Sequence, residues 1–384
     1  MRFDEVVERR GTSSFKWDTR PQIVGIPEDL IPMWVADMDF RAPDVVVNAM
    51  IERAKHGIFG YTFPPRDYFS SIADWWKRRH STHVDEEWIV PVPGVVPGIA
   101  FALEAFTEKG DGVVIQSPVY WPFYDVIESM GRKVVINQLK ETPEGYEMDL
   151  EDLSKKLRDA SAFILCSPHN PTGRVWSEEE LEELAKVLRD FEGIVISDEI
   201  HMDFVFQGRF TSALEIEDLK AKLIVLSSPN KTFNIAAIQN GYAIIPNESI
   251  RKRFESLLKA HHVSRPNVFS IVATVAAYTE GEEWLKGLLN YIEGNFEVVV
   301  KELDGCGGLR VSKPQGTYLM WLDFRETSLK DPFMDILRGG VWLQDGKVFG
   351  PGGEGFLRMN VATPRKILKE AIERIKKVLE GAER

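Results

Sequence analysis

A lysine in the stretch LSSPNKTFN, residues 226–234, has a sequence position that suits covalent chemistry. Lys231 follows the apolar run 223–226, which predicts a buried parallel strand, so we expect it in the loop at that strand's carboxyl end. Ligands of open α/β sheets bind at such ends. A lysine that is partly desolvated there can have a lowered pKa and form an imine with a carbonyl compound. An ordinary solvated loop lysine is the plain alternative.

Polar and aromatic side chains follow the other predicted strands in the same way. Tyr120 comes after the strand 113–116, Asn170 after 162–166, and Asp198 directly after 194–197. Strands that alternate with helical patterns indicate βαβ units, whose right-handed crossovers bring the carboxyl ends of the strands to one side of the sheet. The sequence therefore predicts that these three residues converge on Lys231.

A glycine-rich turn lies at one further strand end. Residues 93–98, PGVVPG, connect the short strand 88–91 to a helical pattern at 99–106, and Pro97 suits a first helical turn. The free N–H groups and the dipole at such a helix start favour an anion such as phosphate. A plain strand-to-helix connection explains the turn equally well, because a glycine-rich turn alone is a weak signal.

Composition restricts the class of protein. With 384 residues the chain exceeds the usual size of one hydrophobic core, so two domains are expected. The net charge of -12 argues against nucleic acid or an anionic membrane as a partner. Cys166 and Cys306 have no metal-site spacing and predict thiols in a reducing compartment. No leader pattern and no apolar run of membrane-spanning length is visible, so we expect a cytoplasmic protein.

The pattern of elements predicts an α/β fold with a mostly parallel, doubly wound sheet in a large domain and a smaller α+β domain. We place an N-terminal arm at residues 1–44 that joins the small domain, the large domain at 45–275, and the small C-terminal domain at 276–384. A helix is expected from Glu178, because Ser177 and Glu180 form a capping box.

Several common ligands of such sheets do not fit. The dinucleotide turn G-x-G-x-x-G and the phosphate loop G-x-x-x-x-G-K-[ST] are both absent, and no histidine or cysteine spacing predicts a metal site. What remains is a lysine, an aspartate and an anion-binding turn. Pyridoxal phosphate needs all three, since a lysine forms its imine, a carboxylate holds its pyridine nitrogen protonated, and a cradle binds its phosphate.

The same motifs resemble a known family. The segments NPTG at 170–173, DEIH at 198–201 and SPNKTFN at 228–234 are similar to the fold-type I pyridoxal phosphate enzymes of the aspartate aminotransferase superfamily. More narrowly, MWVADMDF at 33–40, DEIHMD at 198–203 and GEGFLRMN at 353–360 resemble the MalY/PatB-type cystathionine β-lyases, a group of carbon–sulfur lyases. The resemblance covers nearly the whole chain.

The resemblance implies roles for single residues. Lys231 would bind the cofactor and move the Cα proton, Asp198 would pair with the pyridine nitrogen, and Tyr120 would stack on the ring. Asn170 would contact the ring oxygen and the substrate, and Arg358 would bind the substrate α-carboxylate. His201 would stand near the ring oxygen. The phosphate would be held by the amides of Gly94, Val95 and Val96, by Ser228, and by Tyr61 of a second subunit. Without the family match, each residue has a plain reading as a core aromatic, a turn residue or a surface ion pair.

Two positions depart from the family pattern. Aminotransferases commonly have an arginine eight residues after the lysine to bind phosphate, where this chain has Gln239, and the subfamily often has serine immediately before the lysine, where Asn230 stands. Backbone and hydroxyl donors must then carry more of the phosphate binding, and the contact of Ser228 is the least defined.

The resemblance implies β-elimination on cystathionine or another cysteine S-conjugate, by a homodimer with shared active sites. An aminotransferase acting on an amino acid and a keto acid is the nearest alternative, because both reactions begin with loss of the Cα proton. A regulatory protein that keeps the fold and binds a partner is a second alternative.

Overall fold

The computed structural model describes residues 3–143 and 145–382. The strands are β1 (Ile31–Pro32), β2 (Ile89–Val92), β3 (Gly112–Ile115), β4 (Lys133–Ile136), β5 (Lys140–Thr142), β6 (Gly145–Glu147), β7 (Ala160–Cys166), β8 (Ile194–Asp198), β9 (Leu223–Ser227), β10 (Gly241–Ile244), β11 (Leu319–Asp323), β12 (Val341–Trp342), β13 (Gln344–Asp345) and β14 (Phe356–Asn360). The helices are α1 (Asp44–Lys55), α2 (Arg66–Trp75), α3 (Val95–Phe106), α4 (Pro122–Ser129), α5 (Leu150–Lys156), α6 (Glu178–Leu188), α7 (Pro229–Thr232), α8 (Glu248–Ala260), α9 (Val268–Glu280), α10 (Glu282–Leu303), α11 (Pro332–Arg338) and α12 (Arg365–Ala382).

A seven-stranded sheet forms the centre of the molecule, with the order β2-β10-β9-β8-β7-β3-β4. All pairs from β9 to β4 are parallel, whereas β10 runs antiparallel to both β9 and β2. The predicted mostly parallel α/β sheet is therefore confirmed. The antiparallel strand was not foreseen, because an apolar run shows that a strand is buried and leaves its direction open.

The central strands are apolar along their whole length because both faces of the sheet are covered. Along β8, the side chains of Ile194 and Ile196 lie in one hydrophobic cluster and that of Val195 lies in the other, so alternate residues face opposite layers of helices. Because both faces are buried, the register of the parallel strands is fixed. The register in turn sets where the carboxyl ends of the strands lie relative to one another.

A local sequence signal explains where helix α6 starts. Ser177 Oγ accepts a hydrogen bond from the Glu180 amide at 3.2 Å, and Glu180 Oε2 accepts one from the Ser177 amide at 2.9 Å, which confirms the predicted capping box of α6. Helix α1 starts at Asp44, directly after Pro43. Helix α2 ends at Trp75, and the chain continues as a π-helical turn, Trp76–His80.

A smaller antiparallel sheet, β11-β14-β13, lies in the C-terminal part of the chain. The N-terminal segment reaches this region, because β1 pairs in parallel with β12 through Ile31 and Val341. The predicted domain boundary at residue 275 falls inside α9, so that division stays a prediction. None of the helices in the described ranges is long and apolar enough to cross a lipid bilayer.

Candidate active site

Lys231 lies one residue before the end of α7, a single helical turn that follows β9 directly. The sequence predicted a loop there. Ser228 caps the turn, since its Oγ accepts from the Asn230 amide at 3.0 Å. The half-buried Lys231 side chain donates from Nζ to the backbone oxygen of Ala36 at 2.5 Å. Burial lowers the pKa of this amine to about 8, so a substantial fraction is neutral near physiological pH.

Asp198 is the last residue of β8 and is buried. Its Oδ1 accepts from the Ile200 amide at 3.1 Å, and burial raises the pKa of the carboxyl group to about 7. The nearby charge of Lys231 acts in the opposite direction and lowers that pKa. A buried carboxyl group with one backbone hydrogen bond suits a cationic N–H partner such as a protonated pyridine nitrogen.

Arg358 projects from the middle of β14 and is also buried. Its NH1 donates to Asn170 Oδ1 at 2.9 Å and its NH2 to the Trp34 oxygen at 2.6 Å, while Nε has no partner within the described chain. The guanidinium carbon lies 4.9 Å from the centre of the Phe349 ring. Burial lowers the pKa of Arg358 to about 10. A buried guanidinium whose partners are neutral oxygens is suited to bind a carboxylate.

His201 and Tyr120 are two further ionisable groups beside this centre. Burial lowers the pKa of His201 well below its usual value, and the charges of Lys231 and Arg358 lower it further, so the imidazole is neutral. Its Nδ1 is buried without a partner among the described residues. Burial, together with the charge of Asp198, raises the pKa of Tyr120 to about 12, so its phenol is protonated.

The glycine-rich turn also has the predicted form. Helix α3 starts at Val95, directly after Gly94, so the amides of Val95 and Val96 belong to the first turn, where an α-helix offers no acceptor. Strand β10 passes close to this turn at Gly241. A Cβ atom at Gly241 would lie 3.0 Å from Gly94 Cα, which is tighter than ordinary packing allows.

Ser228 and Tyr61, two predicted phosphate ligands, differ from the other site residues in hydrogen bonding and in exposure, respectively. The Ser228 hydroxyl donates its proton to the backbone oxygen of Asn240 at 2.6 Å, so in this arrangement it can only accept a further hydrogen bond. Its direct donation to a phosphate, predicted from the sequence, would require that proton to be redirected. Tyr61, which is predicted to act from a second subunit, is fully exposed.

The structure brings Lys231, Asp198, Asn170, His201 and Arg358 together with Tyr120. Sequence reasoning missed one member of the group. Tyr318, just before β11, is buried, and its hydroxyl donates at 3.0 Å to the same Ala36 oxygen that Lys231 contacts. The motif at 33–40 marked this region, but nothing in the sequence indicated that a backbone oxygen within it meets the lysine.

These residues fit pyridoxal phosphate by their own chemistry. The half-buried amine has a lowered pKa, the carboxyl group is buried beside it, the imidazole nitrogen of His201 lacks a partner, and a helix start offers free amides. No cluster of three or more histidine, cysteine or acidic side chains within the described ranges could hold a metal ion. Fold and site together define a pyridoxal-phosphate-dependent enzyme of fold type I.

Comparison with known proteins agrees with this class. The family model "Aminotransferase class I and II" matches residues 28–375, and the chain belongs to that family. It is 41% identical to the cystathionine β-lyase PatB of Bacillus subtilis, over 99% of this chain and all of that protein. It is 34% identical to the protein MalY of Escherichia coli, over 96% of both chains.

A solved structure extends the similarity to the cofactor. Cystalysin from Treponema denticola, whose crystal structure contains pyridoxal 5'-phosphate, superposes with a TM-score of 0.92 at 32% identity, over 99% of this chain and 98% of that one. The protein is thus a pyridoxal-phosphate-dependent enzyme, and its relatives include carbon–sulfur lyases.

Proposed function

We propose that this enzyme catalyses β-elimination on cystathionine or related cysteine S-conjugates, releasing a thiol, pyruvate and ammonia. Bound pyridoxal phosphate supplies an electron sink for the negative charge left when a Cα–H bond breaks. The observation that carries the proposal is the placement of the Lys231 amine near both Asp198 and the Arg358 guanidinium, which has no carboxylate partner in the described chain. The relatives named cystathionine β-lyase support the choice of substrate.

Lys231 is the proposed base. Its pKa of about 8 lies close to physiological pH, where a catalytic amine combines a useful neutral fraction with adequate basicity. The neutral amine takes the Cα proton, the bond from Cβ to sulfur breaks, and the thiolate leaves with the electron pair. The remaining enamine reacts with water to give pyruvate and ammonia.

Arg358 and Asn170 are proposed to orient the substrate. A substrate α-carboxylate would take the place of the Trp34 oxygen at NH2 and would also accept from the unpartnered Nε, which gives a bidentate pair. Asn170 would keep its contact with NH1 and so hold the orientation of the guanidinium. This arrangement would hold Cα at a constant position relative to Lys231, which is the main requirement for efficient proton transfer.

Assaying pyruvate and thiol release across a panel of cysteine S-conjugates, without any added keto acid, tests the proposal. Equal amounts of both products are expected from at least one conjugate. The Lys231→Ala variant should release neither, because it lacks the base. Absence of pyruvate from every conjugate would rule out the lyase activity.

Transamination is the second candidate, favoured by the family model that matches the chain. It would convert the cofactor to its pyridoxamine form when an amino acid is added, and a keto acid would reverse the change. A regulatory, partner-binding role would instead leave cellular function intact in Lys231→Ala.

The proposed active form is a homodimer with shared sites. Four large apolar side chains lie exposed in the segment between α1 and α2: Ile58 at 67%, Phe59 at 58%, Tyr61 at 103% and Phe63 at 75%. A patch of this kind marks an interaction surface, and a second copy of the chain would cover it while bringing Tyr61 to the neighbouring phosphate site. The cytoplasmic location expected from the sequence stays a prediction for cell fractionation.

A further inference from the structure

A short backbone segment, residues 34–38, crosses the active site and is held by side chains at every carbonyl. We call it the carbonyl strap. Its oxygens accept from Arg358 at Trp34 (2.6 Å), Asn360 at Val35 (2.6 Å), Lys231 and Tyr318 at Ala36 (2.5 and 3.0 Å), Asn360 and Lys16 at Asp37 (2.8 and 3.0 Å), and Asn234 and Arg9 at Met38 (3.0 and 3.1 Å). The strap is therefore fixed in position by the residues that surround it.

Tyr318 is placed rigidly enough to fix one point of the strap. Its side chain is 1% exposed, and its ring packs edge-on against Phe204 at 4.8 Å and His201 at 5.6 Å between ring centres. Its backbone oxygen accepts from the Val361 amide at 3.1 Å. With ring and backbone both held, the hydroxyl has a constant direction toward the Ala36 oxygen.

The Ala36 oxygen has two lone pairs, and the structure fills one from Tyr318 and the other from Lys231. A neutral lysine amine that donates an N–H to this oxygen keeps its own lone pair free. The direction of that lone pair is then set by the carbonyl, and the direction of the carbonyl is set by Tyr318.

We propose that Tyr318 is a positioning residue for the catalytic lysine. By holding the Ala36 carbonyl it orients the free Lys231 amine so that the nitrogen lone pair faces the substrate Cα proton. The inference rests on the proposed β-elimination, since it concerns the form of the lysine that takes the proton. Tyr318 itself touches the carbonyl and takes no part in proton transfer.

The lysine has several charged and titratable neighbours, so the experiment must separate orientation from charge. These groups are Asp37, Asp198, Arg358, His201 and Tyr318. Removing the Tyr318 hydroxyl changes no formal charge, because burial raises the pKa of this phenol well above physiological pH. It does make the Ala36 oxygen a stronger acceptor for lysine alone, which favours the charged ammonium.

The test compares Tyr318→Phe with Tyr68→Phe. Tyr68 is a matched control, because it is 0% exposed and its hydroxyl has no partner within the described residues. Two experiments are made. The first measures kcat and KM for elimination across a pH series, and the second measures the pH midpoint for imine formation when pyridoxal phosphate is added to the cofactor-free protein. Thermal unfolding is followed for both variants.

For Tyr318→Phe we expect kcat to fall about tenfold, even at about pH 9.5 where the amine is largely neutral, with KM changed less than about twofold. The midpoint of imine formation should move upward by roughly half a pH unit. Tyr68→Phe should leave kcat and the midpoint unchanged.

The inference would be overturned if Tyr318→Phe kept the wild-type kcat at high pH and the wild-type midpoint of imine formation. The proposed elimination would then still stand. If the wild-type enzyme eliminates nothing, the proposed function fails, and the imine midpoint still decides whether Tyr318 acts on Lys231.

Discussion

At the scale of single residues, burial brings two opposite groups to nearly the same pKa. The Lys231 amine is lowered to about 8 and the Asp198 carboxyl group is raised to about 7, each mainly because desolvation disfavours its charged form. Near neutral pH both can therefore change protonation with little cost. The proposed chemistry requires two such groups: a lysine that can act as a base, and a carboxyl group that becomes anionic when a cation binds beside it.

Arg358 offers a test of carboxylate binding. Arg358→Lys keeps the positive charge but loses the planar fork that reaches Asn170 and Trp34 together. We expect kcat/KM for cysteine conjugates to fall roughly 10- to 100-fold, mainly through KM, which corresponds to about 1.5–3 kcal/mol for a buried charged hydrogen bond. Steady-state kinetics with the best conjugate of the panel measure both constants.

Arg325→Lys is the matched control for that experiment. Arg325 also stacks on an aromatic ring, with its guanidinium carbon 4.4 Å from the Phe356 ring centre, but it is more exposed and pairs with Asp323 and Glu141. Its kinetics should match the wild type. An unchanged KM in Arg358→Lys would show that the carboxylate binds elsewhere.

The sequence predicted single residues well where each one ends a strand. Lys231, Asp198 and Asn170 all follow apolar runs, so a rule about strand ends was enough to bring them together. Tyr318 lies outside that rule. It meets Ala36 across 282 residues, and the acceptor is a backbone oxygen that has no signature in the sequence.

At the scale of elements, the phosphate turn depends on a strand that the parallel pattern did not predict. Antiparallel β10 places Gly241 against the Gly94 turn, opposite Val92 of β2. Local signals such as the capping box of α6 could be predicted from the sequence, because the residues involved lie only three positions apart. The direction of β10 depends on long-range pairing, which short-range patterns do not encode.

Gly241→Ala tests the dependence of the turn on β10. The added Cβ would lie 3.0 Å from Gly94 Cα and 3.1 Å from its carbonyl carbon, so one backbone has to shift. We expect pyridoxal phosphate to bind about tenfold more weakly, a change of about 1.4 kcal/mol, because the free amides of α3 would move. Equilibrium dialysis of the cofactor measures this.

Gly381→Ala serves as the control for the glycine substitution. Nothing lies within 4 Å of a Cβ at that position, and the residue belongs to the last turn of α12. Cofactor affinity should be unchanged there. If Gly241→Ala also binds the cofactor normally, the turn accommodates the methyl group, and close contact with β10 is not what shapes the anion site.

At the scale of the whole molecule, two positions of one chain that could offer a side-chain donor to the phosphate are poorly suited to do so. Gln239 is exposed where related enzymes commonly have arginine, and the Ser228 proton is used by Asn240. Tyr61 of the same chain is exposed in a patch with Phe59 and Phe63. A second subunit that covers this patch would supply a side-chain donor through its own Tyr61. Binding of the cofactor and stability of the dimer would then depend on each other.

Mixing two inactive variants tests whether the sites are shared. Tyr61→Ala should lose most activity through weak cofactor binding, and Lys231→Ala should lose all of it. In a heterodimer of the two, one site would carry both defects and the other neither. Random assembly of equal amounts makes half of the dimers heterodimers, so activity should recover to roughly a quarter of the wild-type value. Mixtures that stay inactive, although light scattering shows dimers that exchange subunits, would place Tyr61 outside the neighbouring site, because each heterodimer would then lack a complete one.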